Sequence, residues 1–208
     1  MKNKIKAIIF DLGNVLIGFD HRIGEKRILK YTHKSTQEIY DLFFDSAFTR
    51  EFEKGGISCL EFFAKVKDSL ELRIGYEEFL PIWNEIFFAK PEMERFVASL
   101  NSGRKLVLLS NVNELHYEYL THRFPSAFSL FSPDKIIPSF RTGFMKPERQ
   151  IYELALSAAG VLAQEAVYVD DRQDLIEAAS GYGIPSIQFK NVDQLKRDFL
   201  DLGIVLEK

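Results

Sequence analysis

Short, continuous apolar runs bounded by turn residues recur along the chain and predict buried β-strands. The five runs are Ala7–Phe10, Lys105–Leu109, Lys135–Pro138, Ala166–Val169 and Pro185–Phe189. Continuous apolarity, without alternating polar residues, is typical of parallel strands that helices cover on both faces. Because helical patterns separate the last four runs, the sequence predicts a doubly wound, Rossmann-like α/β core with a five-stranded parallel sheet and right-handed crossovers.

Apolar residues at helical spacing account for most of the remaining chain. In the core, the predicted helices are Glu92–Asn101, Asn113–Arg123, Glu148–Ala159, Gln173–Ser180 and Val192–Leu202. Between the first two strands, the predicted helices are Thr36–Phe44, a helix that Ser58 opens through a capping box with Glu61, and Tyr76–Phe88. Because no strand-like segment interrupts this second group, we expect a helical cap at residues 18–89, inserted into a core domain of residues 1–17 and 90–208.

Composition and charge exclude several classes of protein. The 208 residues suffice for one core domain with a substantial insertion. The net charge of −3 provides no basic footprint for nucleic acid, and no apolar run approaches the ~18–20 residues of a membrane span. The single cysteine, Cys59, cannot form an internal disulfide, which fits a reducing compartment. We therefore expect a cytoplasmic protein that binds neither nucleic acid nor membrane; the pattern carries no signal for an oligomeric state.

Polar side chains follow four of the five predicted strands. They are Asp11 after the first strand, Ser110 and Asn111 after the second, Lys146 in the loop after the third, and Asp170 and Asp171 after the fourth. Parallel strands place their carboxyl ends at one edge of the sheet, where ligands bind in open α/β folds. These residues are far apart in sequence, and the predicted topology brings them into one crevice.

Carboxylates collected in one crevice call for a counter-charge. Two bare carboxylates about 4 Å apart repel by on the order of 4 kcal/mol at an effective dielectric near 20. A hard divalent cation relieves this, and Mg²⁺ typically binds one or two carboxylates together with waters and a phosphate oxygen. Lys146 and the Ser110 hydroxyl suit phosphate oxygens, and backbone N–H groups of the turn Leu12–Asn14 can form an anion-binding nest. An Asp nucleophile opposite such a phosphoryl group is the arrangement for aspartyl-phosphate catalysis.

Four short motifs resemble those of a known enzyme superfamily. They are DLGNV (Asp11–Val15), LLSN (Leu108–Asn111), GFMKP (Gly143–Pro147) and YVDD (Tyr168–Asp171). In order and separation they resemble the motifs of the haloacid dehalogenase superfamily, and the helical insertion resembles its C1-type cap, with FEKGGISCLEFF (Phe52–Phe63) similar to the typical turn of that cap. Within the superfamily, the chain looks most similar to the bacterial YihX-like sugar-phosphate phosphatases, which act on α-D-glucose 1-phosphate.

The resemblance implies a role for each residue at the strand ends. Asp11 would be the nucleophile. The metal would be Mg²⁺, with Asp11, the carbonyl of Gly13 and Asp170 as ligands. Asp171 would support the metal site through a water molecule or by orienting Lys146. The transferring phosphoryl group would be held by Ser110, Asn111 and Lys146. The expected function is Mg²⁺-dependent hydrolysis of a small phosphorylated metabolite, for example a sugar 1-phosphate.

Two positions depart from the superfamily pattern, Gly13 and Leu175, where relatives often have Asn, and the first bears on proton transfer. Most phosphatases of this superfamily carry a second Asp two residues after the nucleophile, as general acid and base, and this chain has Gly13 there. General acid catalysis is typically worth ~10²–10⁴ in rate, roughly 3–5 kcal/mol of barrier. We therefore expect low turnover, a substrate with a good leaving group such as an anomeric or acyl phosphate, or a substitute acid, for which Asp20 and His21 are candidates.

Two other functions compete with this interpretation. A 2-haloacid dehalogenase also uses an Asp nucleophile but no metal, and the paired Asp170 and Asp171 argue against it. A catalytically weak phosphate-binding or regulatory protein is the second alternative, and Gly13 is the residue that suggests it.

Overall fold

A computed structural model of the chain describes residues 4–100 and 103–204. The strands are β1 (Ala7–Phe10), β2 (Ile17–Phe19), β3 (Phe87–Ala89), β4 (Lys105–Ser110), β5 (Ile136–Pro138), β6 (Ala166–Asp170) and β7 (Ser186–Gln188). The helices are α1 (His21–Ile28), α2 (Thr36–Asp45), α3 (Ala47–Glu53), α4 (Cys59–Ser69), α5 (Tyr76–Asn84), α6 (Pro91–Ala98), α7 (Glu114–Arg123), α8 (Pro125–Phe128), α9 (Ser139–Thr142), α10 (Arg149–Ala159), α11 (Gln173–Gly181) and α12 (Val192–Asp201).

A five-stranded parallel sheet forms the centre of the molecule, in the order β5-β4-β1-β6-β7. Strand β1 pairs in parallel with β4 on one side and with β6 on the other, and its four residues are fully buried. Ile8 and Phe10 pack toward α6 and α12, whereas Ile9 packs toward α10 and α11. Helices on both faces explain the continuous apolarity of the strands and confirm the predicted doubly wound core.

The predicted core helices are all present, with ends that differ by a few residues. Asn101, the predicted end of the first of them, lies outside the described residues. Among the described residues, no helix combines the length and the apolarity that crossing a membrane requires.

Two short strands next to the sheet correct the sequence prediction. Strand β2 pairs antiparallel with β3, where the chain leaves and re-enters the core. The predicted helix Tyr76–Phe88 ends at Asn84, so the expectation that no strand interrupts this region was wrong. Strands of three residues are too short to show a period of two, and Gly18 makes the pairing possible because a Cβ there would lie 2.1 Å from the ring of Phe88.

Helices α1 to α5, here called the cap helices, share an aromatic core. The Phe52 and Phe62 rings stack with centroids 4.2 Å apart, and Trp83 lies 4.9 Å from Phe62. The predicted capping box of Ser58 and Glu61 is present at the start of α4. Helix α1 was not predicted from the sequence, although the side chain of Asp20 caps it by accepting a hydrogen bond from the N–H of Arg22. The division into a cap at 18–89 and a core remains a prediction.

The end of α3 is fastened to the core loops beside β4 and β5. The hydroxyl of Ser139, which is fully buried, donates to the carbonyl oxygen of Glu53 at 2.6 Å and accepts from the N–H of Val112 at 3.0 Å. Gly55 has a φ of +73°, and a Cβ built on it would lie 2.1 Å from the carbonyl oxygen of Phe140. Only glycine permits this backbone approach, which fixes the end of α3 against the core.

Replacing Gly55 by Ala tests this contact. We expect Gly55→Ala to lower the free energy of unfolding by roughly 1–3 kcal/mol more than a matched control, since the carbonyl of Phe140 must move. Gly203→Ala is the control, because Gly203 has a similar φ of +74° and an added Cβ there meets no atom within 4 Å. Urea unfolding of both variants provides the measurement. Equal losses of stability would contradict the close approach.

Candidate active site

The residues that sequence analysis predicted at the strand ends line one cleft of about 1050 Å³ between the sheet edge and the cap helices. Those residues are Asp11, Gly13, Ser110, Asn111, Lys146, Asp170 and Asp171. Strand β1 lies between β4 and β6, so Asp11 is next to Ser110 on one side and Asp170 on the other. The predicted convergence at the carboxyl ends of the strands is therefore observed.

Lys146 occupies the centre of the site. Its Nζ donates to Oδ1 of Asp11 at 2.6 Å and to Oδ2 of Asp170 at 2.8 Å, and the residue is 3% exposed. The side chain of Asn111 holds the main chain of this loop: its Nδ2 donates to the carbonyl of Lys146 at 2.9 Å, and its Oδ1 accepts from the N–H of Lys146 at 2.7 Å. Asn111 thus positions Lys146, and its predicted contact with phosphate stays a prediction.

Burial and the neighbouring charges set the protonation of this group. Burial raises the pKa of Asp11, Lys146 opposes the rise, and Asp170 adds to it. Burial alone would lower the pKa of Lys146, but Asp11 and Asp170 raise it above its ordinary value, so the ammonium stays charged. Burial would also raise the pKa of Asp170, yet Lys146 and a hydrogen bond from Tyr168 bring it below the ordinary value.

The three carboxylates form a group suited to a divalent cation. Oxygen atoms of Asp11, Asp170 and Asp171 all lie within 4.8 Å of one another. One lysine neutralises a single charge of the three, and the pKa of Asp171 is raised by burial and by Asp170, which shows the remaining repulsion. A hard cation with oxygen ligands would remove that repulsion, so these residues fit the expected Mg²⁺. Lys146 is held by Asp11 and Asp170, and Asp171 does not orient it by an ion pair.

Two supporting residues were missed by sequence analysis. The hydroxyl of Tyr168, which is fully buried in β6, donates to Oδ2 of Asp170 and fixes that carboxylate. The ammonium of Lys90 donates to the carbonyl of Asn14 and lies 4.6 Å from the centre of the Phe189 ring. Tyr168 belongs to the apolar run that predicts a core strand, and Lys90 precedes a helix in an ordinary surface pattern. Tyr168 stands in the YVDD motif, but nothing in the sequence gives its hydroxyl a role, and Lys90 carries no sequence signal for the site.

The space beside Gly13 is already filled. A Cβ on Gly13 would lie 2.8 Å from Cε1 of Phe19, so the ring occupies the place where a longer side chain would project. The two substitute acids predicted from the sequence are poorly suited. Hydrogen bonds from Arg22 lower the pKa of Asp20 to about 2, and burial lowers the pKa of His21 to about 4. At neutral pH Asp20 has lost its proton, and His21 is a neutral imidazole that gives up its remaining proton only reluctantly.

Comparison with known proteins reveals close similarity in fold. The chain is 24% identical over 196 residues to the D-ribitol-5-phosphate phosphatase of Bacteroides thetaiotaomicron, covering 90% of this chain and 93% of that protein. A solved haloacid dehalogenase family enzyme of the same organism, in complex with magnesium and inorganic phosphate, superposes with a TM-score of 0.84 at 22% identity, covering 93% of this chain and 99% of the other.

A dehalogenase shares the same architecture. The L-2-haloacid dehalogenase of Xanthobacter autotrophicus superposes with a TM-score of 0.63 at 17% identity, covering 95% of this chain and 83% of that one. The fold therefore does not separate a phosphatase from a dehalogenase, and the side chains of the cleft must do so. Residues 5–183, most of the sequence, match the family described as haloacid dehalogenase-like hydrolase. The protein belongs to the haloacid dehalogenase-like hydrolases.

Proposed function

We propose that the protein is a Mg²⁺-dependent phosphatase that hydrolyses a small phosphomonoester through an aspartyl-phosphate on Asp11. The observation that carries this proposal is the buried Lys146 held between Asp11 and Asp170 within a cluster of three carboxylates. The similarity to the D-ribitol-5-phosphate phosphatase supports the same class of reaction.

Each residue at the strand ends has a role in the proposed reaction. A carboxylate oxygen of Asp11 attacks phosphorus, and the bond from phosphorus to the leaving oxygen breaks. Lys146 and the hydroxyl of Ser110 hold the oxygens of the transferring group and offset their charge. Water then attacks phosphorus, which releases inorganic phosphate and restores Asp11. Asp11, Asp170, Asp171 and the carbonyl of Gly13 would hold Mg²⁺, which would neutralise charge on the phosphoryl oxygens.

The cleft favours a sugar or polyol phosphate as the substrate. Besides charged and polar residues, the lining of the cleft includes four aromatic residues, Phe19, Phe43, Trp83 and Phe87. Aromatic faces pack well against the C–H faces of polyols, while the phosphate end would lie at Lys146. A sugar 1-phosphate such as glucose 1-phosphate and a polyol phosphate such as ribitol 5-phosphate are the two candidates for a first substrate screen. A cytoplasmic location is part of this proposal.

The dehalogenase alternative is disfavoured by the same cluster. A dehalogenase uses no metal, and nothing in that reaction would offset the repulsion among Asp11, Asp170 and Asp171. The alternative of a weak phosphate-binding protein is separated from the proposal by measurable turnover.

Metal removal tests the proposal directly. We expect phosphate release from a panel of acyl phosphates, sugar 1-phosphates and polyol phosphates in Mg²⁺, and we expect EDTA to abolish it because the carboxylates then repel the substrate. Excess Mg²⁺ should restore the rate. Halide release from 2-chloropropionate in EDTA would support the dehalogenase instead, and absence of turnover on the whole panel would support the binding protein.

Replacing Asp11 by Asn removes the nucleophile with little change in volume. We expect phosphate release by Asp11→Asn to fall below detection, since the amide cannot form the phosphoenzyme. The circular dichroism spectrum should stay that of the wild type. Asp68→Asn, the same change at an exposed position of α4, is the control and should retain the wild-type rate. Activity surviving in Asp11→Asn would show that another residue attacks phosphorus.

A further inference from the structure

The cleft contains one carboxyl group that the mechanism above does not use. Glu53, the last residue of α3, lines the cleft together with Asp11 and Lys146. Its carboxyl forms no hydrogen bond or ion pair with any residue that the structure describes. Its neighbour Lys54 pairs instead with Glu148, across the boundary between the cap helices and the core. A carboxyl without such a partner in the cleft wall is available to a ligand.

The backbone of Glu53 is held at a fixed place relative to the phosphate end of the cleft. Its carbonyl accepts the hydroxyl of Ser139, which also binds the N–H of Val112. Val112 follows Ser110 and Asn111 directly in the sequence, so two hydrogen bonds connect Glu53 to the loop that carries these residues. The close approach of Gly55 to Phe140 secures the same turn from its other side. A carboxyl that extends into a cleft from a backbone held in this way is suited to catalysis or to recognition of a substrate.

We propose that Glu53 is the general acid and base of this enzyme, because Gly13 has no side chain to transfer a proton and the ring of Phe19 lies in the space beside it. This inference rests on the proposed phosphatase function. It assigns to a cap residue a role that the residues after Asp11 do not fill.

Both half-reactions balance with one proton carried by Glu53. As the oxygen of Asp11 bonds to phosphorus, the leaving oxygen takes the proton of Glu53 and departs as an alcohol. Glu53 is then a carboxylate. It removes a proton from water as the water oxygen bonds to phosphorus and the bond from phosphorus to Asp11 breaks. Inorganic phosphate leaves, and Glu53 is protonated again for the next turnover.

The electrostatics of the cleft suit this proton transfer near neutral pH. Burial raises the pKa of Glu53 to about 7, against the lowering effect of the cations that face it, Arg172 before α11, Lys146 before α10 and Arg50 on α3. An acid and base with a pKa near the working pH is present in both protonation states, which both half-reactions need. Lys54 and Glu148 lie beside it as a pair, so their charges largely cancel.

The experiment compares two leaving groups in Glu53→Gln, which removes the proton and keeps the shape. For an alkyl phosphomonoester, whose alkoxide needs a proton, we expect kcat/KM to fall ~10²–10³-fold. For p-nitrophenyl phosphate, whose leaving group departs without a proton, we expect less than about a tenfold loss. In the wild type, kcat/KM for the alkyl ester should decline above pH about 7, and this decline should be absent from the variant. Glu77→Gln, an exposed position of the cap helices, is the matched control.

The outcomes separate this inference from the proposed function. If Asp11→Asn loses activity on both substrates while Glu53→Gln keeps full activity on the alkyl ester, the role of Glu53 is overturned and the proposed phosphatase function is retained. An equal fall in kcat/KM for both substrates in Glu53→Gln would also overturn the role of Glu53 as acid and base, because a binding or structural role does not depend on the leaving group. No phosphate release by the wild type would instead remove the function itself.

A second variant keeps the test available if Glu53→Gln folds poorly. Glu53→Ala leaves space in a cleft of about 1050 Å³ that admits formate. We expect added formate, at a pH of about 5 where part of it is still protonated, to restore alkyl phosphate hydrolysis by at least about tenfold while leaving p-nitrophenyl phosphate hydrolysis unchanged, since the small acid supplies the missing proton. Absence of rescue in a folded Glu53→Ala protein would count against the proposal.

Discussion

The buried ammonium of Lys146, paired with Asp11 and Asp170, is the interaction on which the rest of the site depends. A charge removed from water is tolerated only when partners compensate it, and losing one partner of a buried pair typically costs about 3–5 kcal/mol. The loops after β1, β5 and β6 must therefore meet at one point. The sheet order achieves this because β1 lies in the middle. On one side Asn111 fixes the loop that carries Lys146, and on the other Tyr168 fixes the carboxylate of Asp170.

The same arrangement leaves the site short of positive charge. Three carboxylates share a single lysine, so in the proposed reaction a divalent cation would offset the remaining negative charge when a dianionic phosphate enters. On the opposite side of the cleft, the cap helices contribute what the core lacks. The ring of Phe19, on β2, fills the space beside Gly13, and the end of α3, held by the contact of Gly55 with Phe140, carries the carboxyl of Glu53 into the cleft. In the proposed mechanism, the core residues stabilise charge and a residue of the cap helices transfers the proton.

The parts of the structure that could be predicted from the sequence are those with a local signal. Buried strands such as Ala7–Phe10 are continuous apolar runs, and the polar residues that end them follow from topology alone. Strands β2 and β3 were missed because three residues show no periodicity and their pairing depends on contact between Gly18 and Phe88, far apart in the chain. Glu53 looks like any helix-surface acid; its place in the cleft depends on Ser139 and Phe140, which only the folded chain brings near.

Borohydride trapping tests the central claim most directly, because an aspartyl-phosphate is reduced to homoserine whereas a free carboxylate is not. The protein would be mixed with Mg²⁺ and a substrate that turns over, treated with borohydride and digested for peptide mass spectrometry. The account predicts homoserine at position 11 only when substrate and Mg²⁺ are both present. Steady phosphate release with Asp11 unmodified, or with reduction at a different carboxylate, would contradict it.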